Sequence, residues 1–125
     1  MTVPDVAGLT AGDLMLRSPK TLAGNASVGD ARAVLADPHV QMVLLADGRT
    51  FRGALTELPD EAGDEEPALS YAHEAETIGP DEPGETAFAR ANATDHRRVI
   101  VLGDDDELLG LVCLNSKRTG FCKSG

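Results

Sequence analysis

The chain has 125 residues, of which 42% are hydrophobic but only 3% aromatic, and it contains no Trp, so its core must be built from Val, Leu, Ile and Ala. A chain of this length buries roughly two thirds of the surface its unfolded form exposes, enough for one core or for a core in two halves. Its formal charge of −10 repels nucleic-acid backbones, whose binding needs clustered Lys and Arg, and this excludes a nucleic-acid partner.

No apolar run reaches the about 18 residues that suggest a membrane span, and Met1 to Gly12 lacks a basic region followed by an apolar one. The expected location is therefore the cytoplasm, with no membrane partner. Cys113 and Cys122 are too few and too far apart for a zinc site and do not form a CxxC pair, so they are expected to be buried or idle thiols rather than a regulatory disulfide. His39, His73 and His96 are scattered and match no metal motif, and no GxSxG, phosphate-cradling Gly loop or Cys–His pair nominates a catalytic nucleophile. The expectation is no enzyme and no metal.

In chain order, Thr10 with Asp13 three residues on predicts a capped short helix to Leu16, which Pro19 ends. Lys20 to Ala23 reads as a brief strand. Ser27 with Asp30 predicts a second cap, and Val28, Ala31, Val34 and Leu35 recur at helical spacing until Asp37-Pro38. Met42 to Ala46 is an apolar run of strand length, Asp47-Gly48 a turn, and Phe51 to Thr56 a second extended stretch, which together predict an antiparallel hairpin. Leu58 to Pro67 is densely acidic and reads as a solvated linker.

The second half runs through the same order. Ala68 to His73 is expected as a short helix, Glu76 to Ile78 as a strand, and Asp81 as the cap of a helix reaching about Ala93, with Pro83 in its first turn and Ala87, Phe88 and Ala91 on its apolar stripe. Val99 to Leu102 and Leu108 to Leu114 form the second hairpin around Asp104-Asp105-Asp106, which reads as a turn because it lacks the alternating ligands of a calcium loop.

An offset of 56 places Thr21 on Thr77, Leu22 on Ile78, Asn25 on Asp81, Ala31 on Ala87, Val43 on Val99 and Leu45 on Val101. One extra residue in the 104–107 turn then brings Gly53 over Gly110 and Leu55 over Val112, as a loop insertion in a duplicated unit would. The chain therefore reads as two repeats, residues 9–58 and 68–118, joined by the acidic linker 59–67 and followed by a tail 119–125. The fold class is α+β, each repeat running helix, strand, helix, strand, strand, with two small sheets packed together about a pseudo-two-fold axis.

The stretches "AGDLMLRSPKTL", "NASVGDARAVLAD", "VQMVLLADGRTFRGALT" and "ETIGPDEPGETAFARANATDHRRVIVLGDDDELLGLV" resemble a tandem pair of cystathionine-β-synthase (CBS) repeats, over roughly Leu9 to Lys117. The resemblance implies a regulatory module rather than an enzyme, association as a homodimer, a possible regulated protein partner, and a cleft between repeats that takes AMP, ADP, ATP or S-adenosylmethionine as a regulatory ligand. In the family's motif a Gly-apolar-apolar run leads to Ser or Thr and, three residues later, to an Asp for the ribose. Gly53, Ala54, Leu55 and Thr56 fit, but Pro59 holds the acidic place and Asp60 comes one residue late; the second repeat has Gly110, Cys113 and then Ser116.

The resemblance thus nominates Thr21, Leu22, Thr56, Asp60, Thr77, Ile78, Arg98 and Ser116 as ligand-binding residues. Arg97, Arg98, Lys117 and Arg118 flank the second hairpin and are expected to form a small basic cluster for phosphates, although the −10 background favours a neutral or cationic nucleoside over ATP. Two readings stay open: an adenosyl-sensing regulatory module, and a ligand-free dimerisation or interaction module with a degenerate nucleotide site.

Overall fold

The computed structural model describes residues 6, 8–17, 21–38, 40, 42–73 and 75–121. It contains helices α1 (Ala11–Leu14), α2 (Val28–Leu35) and α3 (Gly84–Asn92), and strands β1 (Thr21–Ala23), β2 (Val43–Asp47), β3 (Thr50–Leu55), β4 (Thr77–Ile78), β5 (Arg98–Leu102) and β6 (Leu108–Cys113). A 3-10 turn spans Ala68–Tyr71 and another Asp104–Asp106. The strands make two three-stranded sheets, ordered β1-β2-β3 and β4-β5-β6.

The duplication read from the sequence extends to the pairing register. β1 runs parallel to β2 with Thr21 opposite Leu44, and β4 parallel to β5 with Thr77 opposite Ile100. Val43 faces Leu55 and Leu45 faces Gly53 in the first hairpin; Val99 faces Val112 and Val101 faces Gly110 in the second. Each hairpin even carries its irregularity at the same place, after Leu45 and after Val101. The first turn is closed at Gly48, with φ +61°, and the longer second turn absorbs its extra residue by putting Asp105 and Asp106 in the left-handed region, which Asp tolerates better than most residues.

The expected caps at Thr10 and Ser27 are present, each with Asp13 or Asp30 returning a bond to the cap N–H. The expected cap at Asp81 is not: α3 begins after Pro83, with no side chain capping it. Its leading N–H, on Gly84, instead donates to the Leu9 carbonyl at 2.8 Å. Across the repeat, Val28 N–H donates to Glu66 O at 2.8 Å in the same way, joined by Gly29 N–H to Asp64 O at 3.0 Å. A helix start can be satisfied by backbone carbonyls from elsewhere in the chain, and then needs no Ser or Asp of its own.

These contacts regroup the chain. By proximity it falls into two units, Met1–Pro19 with Glu76–Gly125, and Lys20–Ala75. The segment that follows α1 pairs with the second repeat, Leu16 bridging Leu111; the segment that follows the 3-10 turn pairs with the first, His73 bridging Ala54. The acidic stretch 59–67 is correspondingly not a loose linker. Its side chains face solvent, but Ala62 is buried, and Arg32 holds it by donating to Pro59 O at 2.8 Å and pairing with Asp64 at 2.5 Å.

In the first unit α3 packs Ala87, Phe88 and Ala91 on Val99, Val101, Val112 and Leu114; in the second Ala31 of α2 lies on Val43, Leu45 and Leu55. Each fully buried Val or Leu contributes about 1.5–3 kcal/mol. The unassigned tail folds back: Leu114 bridges Phe121, and the Phe121 ring meets Phe88 edge-on at 6.3 Å. Cys113 is disulfide-bonded, which corrects the expectation of an idle thiol there; Cys122 and His39 lie outside the described residues.

Gly53 and Gly110 occupy equivalent strand positions beneath these crossing segments. A Cβ on Gly110 would stand 2.5 Å from the Leu16 carbonyl oxygen, and one on Gly53 2.8 Å from Ala72 Cβ. Gly110→Ala and Gly53→Ala are each expected to destabilise the protein by about 1–3 kcal/mol, because the Leu16 carbonyl and the Ala72 Cβ can move aside only with their backbone. Chemical denaturation of both variants checks this, and equal stability to wild type would contradict the packing.

Candidate functional site

β3 ends in the Gly53-Ala54-Leu55-Thr56 run, with Gly53 to Leu55 buried, so Thr56 emerges as the strand leaves the core. Behind it Glu57, Leu58 and Asp60 meet Arg32, Leu35 and Ala36 at the end of α2 around a depression of about 360 Å³. This lies toward the small end of ligand sites. Leu35, Ala36 and Leu58 supply an apolar wall, Thr56 a hydroxyl, and Glu57 and Asp60 carboxylates. Thr56 Oγ1 shares a 3.1 Å hydrogen bond with His73 Nε2, and Arg32 is committed to Asp64 and to the Pro59 and Asp60 carbonyls. The depression therefore has no free cation at Arg32 to offer a phosphate.

In the second repeat Thr77 and Ile78 of β4 line a depression of about 340 Å³ with Gly79, Glu82, Arg90, Leu102 and Asp106. Arg90 reaches from α3 to pair with Glu76 at 3.0 Å and donates to the Thr77 carbonyl at 3.4 Å. Here too the cation is already engaged beside carboxylates.

The other nominated residues stand apart from both depressions. Thr21 is exposed at the start of β1, and Leu22 is half-buried opposite Leu45, against the α2 core. Ser116 is exposed in the turn after β6. Arg98 is only 5% exposed, and its Nη1 donates to the His96 carbonyl at 2.6 Å. Burial, with Arg97 adding repulsion, pushes its pKa down to about 10.

The expected basic cluster is spent on the backbone. Arg97 donates to Leu114 O, and Arg118 donates to Asn92 O at 2.7 Å and to Thr94 O at 3.3 Å, neutralising the carbonyl end of α3. Lys117 is exposed. Sequence reasoning missed Arg32, Leu35 and Arg90, because a cation or Leu on a helix carries no sign of which loop folds onto it.

No protein-family model and no curated protein matches the sequence. Solved structures do match. The CBS pair domain of a Shewanella oneidensis protein aligns with TM-score 0.75 at 16% identity over 86% of this chain, which spans only 66% of that chain. A CBS domain protein of Pyrobaculum aerophilum complexed with AMP aligns with TM-score 0.69 at 19% identity, over 84% of this chain and 87% of that one. A CBS-pair protein of Arabidopsis thaliana gives 0.70 at 20% identity, over 86% and 89%. The chain has the fold of a tandem CBS pair.

The acidic stretch that follows the first depression can be followed through the chain's one Tyr. Tyr71 OH donates to Glu66 Oε2 at 2.9 Å, and that bond, with burial and the nearby acids, raises its pKa above the ordinary 10.0. Tyrosinate absorbance followed against pH should show a midpoint above the ordinary value, falling toward it in Glu66→Gln; an unchanged midpoint would mean the loop is not closed on the turn. Because the folded pKa is raised, the contribution of this bond to stability is present below the ordinary pKa and is lost as pH rises through the folded one.

Proposed function

Proceeding from the fold of a paired CBS module, we propose that this protein is a non-catalytic regulatory sensor of an adenosyl ligand with a neutral or cationic tail, S-adenosylmethionine in preference to ATP. The observation that carries the reading is the first-repeat depression, which Leu35 and Leu58 line together with Thr56 and Asp60. A nucleoside needs those groups: an apolar slot for the base and acceptors for the ribose hydroxyls. The complex of the Pyrobaculum aerophilum protein with AMP supports the adenosyl class. Charge supports the preference within it, since Glu57 and Asp60 border the site and its Arg32 is already paired. Each unscreened like-charge contact at 4 Å opposes binding by about 1 kcal/mol in water and more near a protein surface.

A ligand that binds only the folded state stabilises it, by about 2.7 kcal/mol at a hundredfold excess over Kd. In a thermal-shift series with AMP, ADP, ATP, S-adenosylmethionine and NADH, S-adenosylmethionine should raise the melting temperature most, and Asp60→Asn should remove the rise while leaving the unliganded melting temperature within a degree or two.

A second reading, a ligand-free homodimerisation module, is favoured by one local fact: Pro59 stands where the family's ribose carboxylate belongs, and the Thr56 hydroxyl is already bonded to His73. No shift with any of these ligands, together with a dimer mass by light scattering, would decide for it. A monomer mass would sink dimerisation under either reading.

A further inference from the structure

Arg32 stands on α2 one turn before Leu35 and Ala36 and lines the first depression with them. Its two terminal nitrogens have different partners. Nη2 donates to the carbonyls of Pro59 at 2.8 Å and Asp60 at 3.3 Å, whereas Nη1 donates to Asp64 Oδ1 at 2.5 Å. The two carbonyls are neutral and hold the guanidinium in place beside the depression; the carboxylate is the partner that offsets its charge. Asp64 is not among the residues that line the depression. It lies against the start of α2, where Gly29 N–H donates to its carbonyl at 3.0 Å and a Cβ on Gly29 would stand 3.2 Å from its Cβ. Backbone and close packing therefore place Asp64, and the rest of its stretch is held without its carboxylate: Val28 N–H donates to Glu66 O at 2.8 Å, and the Glu66 carboxylate accepts from Gly63 N–H and from Tyr71 OH. Both side chains of the Arg32–Asp64 pair reach solvent, and such a pair contributes little to folding. Its consequence falls on what Arg32 can bind.

We propose that Asp64 sets the charge preference of the first depression, as a positioning residue that occupies Arg32 Nη1 and so withholds it from the phosphates of a nucleotide. This rests on the depression being the ligand site. With Asp64 in place, a phosphate meets the carboxylates of Glu57 and Asp60 and a guanidinium whose charge is already offset. Without the Asp64 carboxylate, Nη2 stays on the Pro59 and Asp60 carbonyls and Nη1 becomes a charged donor for phosphate oxygens, to which the planar guanidinium is suited. A cationic tail gains nothing from that exchange, because it loses the attraction of one carboxylate and meets an uncovered cation. The chain thus carries a phosphate-binding arginine that one acidic residue outside the site keeps masked.

Equilibrium binding of ATP without divalent cations, and of S-adenosylmethionine, tests this on the wild-type protein and on variants. Asp64→Ala should bind ATP about tenfold more tightly than wild type, and S-adenosylmethionine no more tightly. Glu65→Gln removes the same charge from an exposed neighbour that does not touch Arg32, and should leave ATP affinity within about twofold of wild type. In the double variant Arg32→Gln with Asp64→Ala the gain should disappear. A gain of less than about threefold in Asp64→Ala, an equal gain in Glu65→Gln, or a gain that survives the loss of Arg32 would each overturn the assignment. Folding of the stretch is followed through Tyr71, whose tyrosinate midpoint should stay above the ordinary value in Asp64→Ala. Should it not, Asp64→Asn, which keeps the shape of the side chain, is read in its place. The adenosyl reading is decided separately, by whether the wild-type protein binds S-adenosylmethionine: if it does and Asp64→Ala gains nothing for ATP, the reading stands and the masked arginine falls; if it does not and Asp64→Ala gains ATP through Arg32, the reverse holds.

Discussion

The structure depends on two helix starts being closed by backbone carbonyls that belong to distant segments. Val28 N–H binds Glu66 O, and Gly84 N–H binds Leu9 O. An unsatisfied N–H at a helix start is costly once buried, and Val28 and Gly84 are both buried. Satisfying them fixes where the lead-in segment runs, and that course brings the segment over a glycine on the edge of the hairpin. Ala68 N–H then binds Ala26 O, and Ala11 N–H binds Glu82 O, so each lead-in is tied at a second point. The edges of β3 and β6 are thereby covered by His73 and Leu16, which removes two exposed strand edges at once.

The same constraint shapes the candidate site. The acidic stretch is drawn down onto α2, where Arg32 clamps it, so Asp60 and Leu58 line a depression together with Leu35. The clamp also uses Arg32, the cation that borders the depression. Arg32 and Arg90 are engaged by Asp64 and Glu76, so neither guanidinium offsets the carboxylates that border the two depressions.

The second repeat diverges where its helix and tail meet. Arg118, with φ +59°, turns its guanidinium onto the end of α3, and Phe121 completes the cover. Ser116 therefore belongs to a turn whose job is to return the chain, set by Asn115 bonding Thr119 N–H at 3.1 Å. The second repeat thus carries a structural loop where the first carries Thr56 and Asp60 beside a depression.

The amino-acid pattern by itself determined the duplication, the strand and helix order, the two hairpins and the caps at Thr10 and Ser27, because each rests on side-chain periodicity, on a turn or on a capping residue next to the group it satisfies. The offset that aligned Val43 with Val99 also aligned their strand partners. Tertiary structure alone decided which unit each lead-in joins, how α3 starts without a cap at Asp81, that the stretch 59–67 is tied down, that Arg98 is buried, and that Cys113 is bonded. Those outcomes are made by backbone carbonyls and by neighbours far away in the chain, and a carbonyl is the same in every residue, so it leaves no mark in a sequence.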